Sequence, residues 1–297
     1  MNIQQGYCGG REALAKDLLN TFADAPRSTD VIRRILWSPA WCETDGTPHA
    51  MFPGALKPHR VEVIGFEPAP QLMQRTGVFL RVNTTTNWFL SLQDFPGSEA
   101  YFKSISKKLR KNLRWLDNVY QREPLDIVPI KNKQDMQDFL DIFQIQWPDS
   151  DWVGRHRDLF IRIYLYLEQT RRNGSYLIRE SESNKAVAGA LGYLTDYAYN
   201  LNLLARRPGM FDKYSPGNYL AFWIIKNLLE SSGHPAFFIF GPGEFEYKKR
   251  FLAKALPVYR YERITPANIH GLVRMINRWR KERYKRWKKQ KSSVRSA

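Results

Sequence analysis

The chain has 297 residues, 43% of them hydrophobic, with 9 Trp, 15 Tyr and 17 Phe, enough for one large core or two smaller ones. Its two cysteines, Cys8 and Cys42, form no disulfide framework and show no metal-ligand spacing. The net charge of +17 calls for an anionic partner: a nucleotide, a nucleic acid, a membrane or an acidic carrier.

The beginning, MNIQQGYCGGREALAKDLL, lacks the basic-then-apolar pattern of a signal peptide, and a short helix is expected over residues 11–22. From Val31 to Leu92 the extended pieces RVEVIGFEP, GVFLRV and NWFLSL read as strands around a loop-rich excursion. In PGSEAYFKSISKKLRKNLRWLDNVY, Phe102, Ile105, Leu109, Leu113 and Leu116 recur at helical spacing, which predicts one helix carrying the basic cluster that starts at Lys107. LDIVPI is a strand. NKQDMQDFLDIFQIQW is a helix starting near Asn132, and DLFIRIYLYLEQTRRNG a helix ending at Gly174. Three strands follow, with turns near Asn184 and Asp196. A helix then starts at Ser215, AFFIFGPG is a strand Phe237–Phe240 leading into a Gly-Pro-Gly turn, and EFEYKKRFLAKAL is a short helix.

The most apolar run, YLAFWIIKNLL, is broken by Lys226 and is too short to span a bilayer, so a soluble cytoplasmic protein is expected. From Arg278 to the end there are ten Lys or Arg and one Glu, on a segment whose Ile269, Leu272, Val273, Ile276 and Trp279 have helical spacing. That basic tail offers a contact for an anionic membrane surface or an acidic carrier protein. The alternation of helices with extended segments predicts an α/β or α+β layer.

Two Gly-bearing turns concentrate the chemistry. In Tyr214-Ser215-Pro216-Gly217, Ser215 suits the N-cap and Pro216 the first helical position, while Gly217 bares backbone N–H groups for an anion. The second turn is Gly241-Pro242-Gly243. In α/β sheets, ligands gather at the C-terminal ends of strands, so both turns can border one crevice. Taken alone, the first reads as a plain helix start and the second as a plain turn. Neither is a Walker loop or a dinucleotide fingerprint. Glu244 and Lys248 stand four apart and read as a surface pair, and Tyr247 as either a proton donor or a packing residue. His156, His234 and His270 are scattered and suggest no triad, and no ligand set has metal spacing.

In this order the pieces resemble the Gcn5-related N-acetyltransferase (GNAT) superfamily. More narrowly, they resemble its BioF2-like or cellulose-biosynthesis CelD-like branch, related to the Fem-type aminoacyltransferases. The pieces are SISKKLRKNLRW, the helix ending Arg171-Arg172-Asn173-Gly174, AVAGALGYLTD with AYNLNLLA, Tyr214–Gly217, and Gly241-Pro242-Gly243-Glu244-Phe245-Glu246-Tyr247-Lys248. The resemblance implies a mixed sheet splayed open for pantetheine, with residues 1–125 as an N-terminal α/β lobe bearing a basic helix at 98–119. Residues 126–265 would be the acyl-CoA-binding domain and residues 266–297 a basic helix and tail.

By the same resemblance, the CoA pyrophosphate falls to Tyr214, Ser215, Pro216, Gly217 and Asn218, with Lys213 adding charge, and Gly241, Gly243 and Lys248 complete the donor site. Tyr247 lies by the departing sulfur, with Glu244 and Glu246 as acid–base candidates and Arg110 and Arg114 as substrate contacts. Relatives often carry an Asp two residues before Gly241, where this chain has Ile239. The implied reaction is acyl transfer, acetyl in the first instance, from a CoA thioester to an amine or hydroxyl, without a metal. The alternatives are an aminoacyl-tRNA-dependent or an acyl-carrier-protein-dependent transferase, or a binding protein on a degenerate transferase fold.

Overall fold

The computed structural model describes residues 3–26, 28–36, 40–42, 48–50, 56–57, 60–65, 78–209, 211–243 and 246–264. Glu244, Phe245 and the basic tail from residue 265 on lie outside the described residues. The chain divides into two compact units, residues 1–37 with 85–257, and residues 38–84 with 258–297.

The first unit starts with α1 (Ile3–Thr21) and α2 (Ser28–Leu36), the former longer than the helix expected over 11–22. In the second unit, β1 (Ala40–Cys42) pairs antiparallel with β2 (Pro48–Ala50) and parallel with β4 (Arg60–Gly65). There, β4 also pairs antiparallel with β3 (Leu56–Lys57) and with residues 259–262 of β11 (Lys254–Ile264). GVFLRV and NWFLSL belong to one long strand, β5 (Val78–Ser91), because nothing between them interrupts extended backbone.

The stretch expected as one helix from residue 98 is two, α3 (Ser98–Ser104) and α4 (Lys107–Arg122). Ile105 and Ser106 are extended, and the Ser106 hydroxyl accepts from the Leu109 N–H at 3.3 Å. A serine that competes for backbone donors caps a new helix more readily than it continues an old one, and it does so here without disturbing the apolar spacing.

After β6 (Leu125–Pro129), α5 (Lys133–Gln146) opens on Asn132, whose side chain accepts from the Asp135 N–H at 2.9 Å. The short α6 (Asp151–Arg155) leads to α7 (Arg157–Gln169), which stops before the expected Gly174 because Arg171 turns left-handed at φ 57°. Then come β7 (Tyr176–Glu180), β8 (Ala186–Leu194), β9 (Ala198–Arg206), α8 (Pro216–Glu230), β10 (Phe237–Pro242) and α9 (Glu246–Arg250). The helix predicted through residue 256 ends at Arg250, and Lys254-Ala255-Leu256 enter β11.

The sheet of the first unit runs β5-β10-β9-β8-β7-β6. Its neighbours are antiparallel except β9 and β10. Helices cover both faces. Phe139 of α5 fills the space above Gly189, where an added Cβ would come within 2.6 Å of its ring. Ala188 and Ala190, which alternate with Gly189 on the pleat, join the cluster built by α8, α4 and β10. Arg179 of β7, 8% exposed, ties the sheet to α5 through Asp135 at 2.8 Å and Asp138 at 2.7 Å.

One departure from regularity positions the site. The parallel pair β9/β10 is in register only from Ala198–Asn200 against Phe237–Ile239. On the other side of β10 the register against β5 shifts between Ile239 and Gly241, so Phe240 is the extra residue of a bulge and Gly241 takes φ 72°. A bulge bends the strand that carries it. From Leu201 and Phe240 onward the two strands part, and the sheet is a splayed mixed sheet flanked by helices.

Candidate active site

A cavity of about 840 Å³ opens where β9 and β10 diverge. One wall is β9, with Leu201, Asn202, Leu204 and Arg206. Another is the end of α5 and the segment after it, with Phe143, Gln146 and Trp147. The remainder is the N-terminus of α8, through Ser215, Gly217 and Asn218, and the end of β10 with α9, through Phe240, Pro242, Tyr247 and Lys248. The two Gly-bearing turns of the sequence therefore border one space.

The start of α8 differs from the expected cap. Ser215 has φ 44°, ψ 54° and its side chain makes no capping hydrogen bond; its carbonyl accepts from the Tyr219 N–H at 3.0 Å. Pro216 brings no N–H to the first turn, and the donors at Gly217 and Asn218 are left to the cavity that both residues line. Gly217 has no positive φ, and a Cβ there would meet Leu204 at 3.4 Å, an ordinary contact distance, so neither its backbone nor its packing requires a glycine. Phe211, at φ 55°, is also left-handed. Two non-glycine residues in that region cost roughly 1–2 kcal/mol each, and such strain collects where a loop is held for a task. Asp212 holds the loop: its carboxylate accepts from the Arg206 guanidinium and from the Gly209 N–H at 3.2 Å.

Beyond the bulge, Lys248 is not at the surface, and the pair expected with Glu244 lies outside the described residues. Lys248 is 1% exposed, and its ammonium donates to the carbonyls of Gly241 at 3.0 Å, Pro242 at 2.8 Å and Gly243 at 3.1 Å. It clamps the turn from inside, and burial brings its pKa down to about 8. Gly243 joins Gly241 at positive φ, 98°, as three carbonyls converging on one cation require. Tyr247 packs edge-on against Phe240 at 6.2 Å and Phe251 at 6.1 Å, and burial pushes its phenol up to about 12. At neutral pH the group is a protonated phenol on the cavity wall, a proton donor in form.

The other residues singled out in the sequence lie elsewhere. Tyr214 is buried, donates to Glu123 at 2.9 Å and sits under the Lys213 ammonium at 4.6 Å. Arg110 donates to the Lys103 carbonyl, and the Arg114 guanidinium lies over the Phe102 ring at 5.2 Å; neither lines the cavity. Glu246 is exposed at the start of α9, away from the cavity lining.

Sequence reasoning missed Arg206, Asp212, Asn202 and Gln146. Arg206 is the last residue of β9 and, among the described residues, the one lining arginine; its backbone N–H is fixed by the Gln146 side chain at 2.8 Å. The Asn202 side chain donates to the Tyr164 hydroxyl at 2.8 Å. An arginine that ends the strand before a Ser-Pro-Gly helix start was a readable signal for Arg206. Nothing in the sequence marked Gln146.

The fold agrees with comparisons to known proteins. The acetyltransferase (GNAT) domain family matches residues 103–249. A search of curated proteins finds no match. Among solved structures, the chain is similar to the crystal structure of FemX, with 9% identity and a TM-score of 0.54 over 72% of this chain and 74% of that one. It is also similar to a GCN5-related N-acetyltransferase from Kribbella flavida, with 8% identity and a TM-score of 0.39 over 70% and 68%. A third likeness is to L-PGS from Bacillus licheniformis, with 13% identity and a TM-score of 0.44 over 73% and 72%. At these identities structural likeness speaks for the fold, and of the three the FemX comparison carries that weight. Residues 103–249 thus match an acetyltransferase (GNAT) domain, whose presence supports acyltransferase activity, on a splayed mixed α/β fold.

Proposed function

We propose that the protein transfers an acyl group, acetyl in the first instance, from a CoA thioester to an amine or hydroxyl acceptor, in the cavity between β9 and β10. One observation carries this reading: the sheet splay, an uncapped helix N-terminus and a protonated tyrosine share a single 840 Å³ cavity. The residues fit such a donor. Apolar walls from Leu201, Leu204 and Phe240 suit a pantetheine arm, and the first-turn N–H groups of α8, at the positive end of the helix, suit its pyrophosphate. Arg206 adds a lining cation beside Lys248, and Lys213, just before the turn, adds charge outside the cavity. We assign Gly241 and Gly243 to the donor site through the backbone they shape, with Lys248 holding that backbone in place.

The thioester supplies an activated acyl carbon. The acceptor nitrogen or oxygen bonds to that carbon, the carbon–sulfur bond breaks, the Tyr247 phenol gives its proton to the departing sulfur, and the tyrosinate takes a proton back from water. The acceptor proton leaves to water, since Ile239, buried at 1% exposure, offers no base where relatives often have one. Holding the two reactants together lowers much of the barrier. The motifs Tyr-Ser-Pro-Gly and Gly-x-Gly-x-x-x-Tyr-Lys are the reason to place the chain in the BioF2-like or CelD-like branch.

Free-thiol release from acetyl-CoA and longer acyl-CoA donors, screened against amine and hydroxyl acceptors, tests the proposal. Acceptor-dependent thiol release supports it. Turnover of an aminoacyl-tRNA with no turnover of any CoA donor contradicts it.

A further inference from the structure

We propose that the outer face of α4 is a docking surface for a small acidic carrier protein, which brings the acyl thioester to the cavity on a phosphopantetheine arm. The proposal rests on the reading of the cavity as a pantetheine thioester site and names the donor's macromolecular form.

The inner face of α4 is occupied. Leu113, Leu116 and Tyr120 are buried, and Tyr120 stacks on Tyr219 of α8 with ring centres 4.0 Å apart. The acidic groups at this end also turn inward: Asp117 accepts from the Tyr219 hydroxyl at 2.7 Å, and Glu123 from the Tyr214 hydroxyl at 2.9 Å. The outer face that remains is cationic. Lys108, Lys111 and Arg122 are exposed and flank Trp115 at spacings of 7, 4 and 7 residues, which puts them on one stripe of the helix. Trp115, 46% exposed, stands in the middle of that stripe. An exposed indole ringed by cations on an otherwise docked helix is the composition of an interface anchor.

The place of this stripe selects the partner. Trp115 touches Tyr214, with ring centres 5.9 Å apart, and Tyr214 directly precedes Ser215 at the cavity wall. A protein seated on the stripe therefore lies beside the N-terminus of α8. A carrier's arm is attached through one phosphate, which suits the same helix end, and the arm beyond it is the pantetheine that the apolar cavity accommodates. Carrier proteins are acidic, and the row from Lys108 to Arg122 runs about 21 Å along one straight helix. Single-stranded RNA is less well matched, because successive bases call for several aromatic platforms and this face offers one.

The test is fluorescence anisotropy with labelled holo acyl-carrier protein against the wild-type chain and the variant Lys108→Glu/Lys111→Glu/Arg122→Glu. None of these residues lines the cavity. The expected result is carrier binding that weakens steeply with salt and falls about tenfold or more in the variant, with CoA affinity unchanged. Equal melting temperatures establish that the variant is folded, and Lys108→Gln/Lys111→Gln, which removes charge without reversing it, should give an intermediate loss. Carrier binding that is absent, or equal in wild type and variant, overturns the proposal. So does a variant that loses affinity for an RNA oligonucleotide or for phosphatidylglycerol vesicles while keeping it for the carrier. The two readings fail separately. CoA binding by a wild-type chain that ignores the carrier removes the docking surface alone, and α4-dependent carrier binding by a chain that ignores CoA removes the CoA reading alone.

Discussion

At the residue scale, the proposed proton transfer rests on Tyr247. Its phenol lies on the cavity wall with a pKa near 12, so it is protonated at every working pH and needs no base to prepare it. Tyr247→Phe keeps the ring packing against Phe240 and Phe251 and removes only the proton. We expect kcat to fall about 100-fold, in the usual range for lost general-acid help, with little change in KM for the donor. Steady-state thiol release checks this, and an unchanged kcat would leave Tyr247 a packing residue. Arg206 makes a different kind of contribution. Arg206→Gln removes a lining cation and its pairing with Asp212, and KM for the CoA donor should rise about fivefold, or roughly 1 kcal/mol. At this scale the sequence was readable where the signal was local. Ser215, Gly217, Asn218 and Tyr247 stand in motifs a few residues long, and all four line the cavity. Arg110 and Arg114 were not readable, because which way a helical arginine turns depends on Lys103 and Phe102, and so on the break at Ser106.

Among the elements, the end of β10 and the start of α9 act as one piece, held by Lys248. Between about pH 8 and the ordinary lysine range, the unfolded chain keeps the Lys248 proton while the folded chain gives it up. The unfolded state then binds more protons, so this group makes unfolding free energy rise with pH across that window. Urea melts near pH 7.5 and 9.5 should show that rise in wild type and a smaller one in Lys248→Met. The substitution should also lower stability near neutral pH by roughly 1–3 kcal/mol, because three turn carbonyls lose their common donor. An identical pH dependence in the two proteins would show that Lys248 does not titrate in this way. The inward turn of Lys248 was hidden in the sequence for a physical reason: α9 spans five residues, too few for a hydrophobic period to show which side faces the core. The continuous strand Val78–Ser91 and the bulge at Phe240 were hidden too, since both depend on which strands pair rather than on the residues themselves.

For the whole molecule, the charge of +17 and the splayed sheet belong to one account, in which an anionic thioester donor is drawn to a cationic protein and held where two parallel strands part. Among the described residues no helix is long and apolar enough to cross a membrane. The basic tail lies outside the described residues, and peripheral contact through it is a proposal that truncation after Arg280 tests by vesicle co-sedimentation at low salt. The α/β class and the element order were legible because helix starts, turns and strand runs are local patterns. The splay was not, since it is the place where pairing stops, and no residue type announces that.

The central claim is that the N-terminus of α8 holds the donor's phosphates. Isothermal titration of CoA into wild type, Gly217→Ala and Gly217→Asp tests it most directly. The Ala Cβ meets Leu204 at ordinary contact distance, so that variant should bind like wild type. Asp in the first turn should favour the helix, through its dipole, while repelling the phosphates. The account predicts a melting temperature that is kept or raised together with CoA affinity weakened about tenfold or more, some 1.4 kcal/mol. Equal affinity for CoA in all three proteins would contradict it.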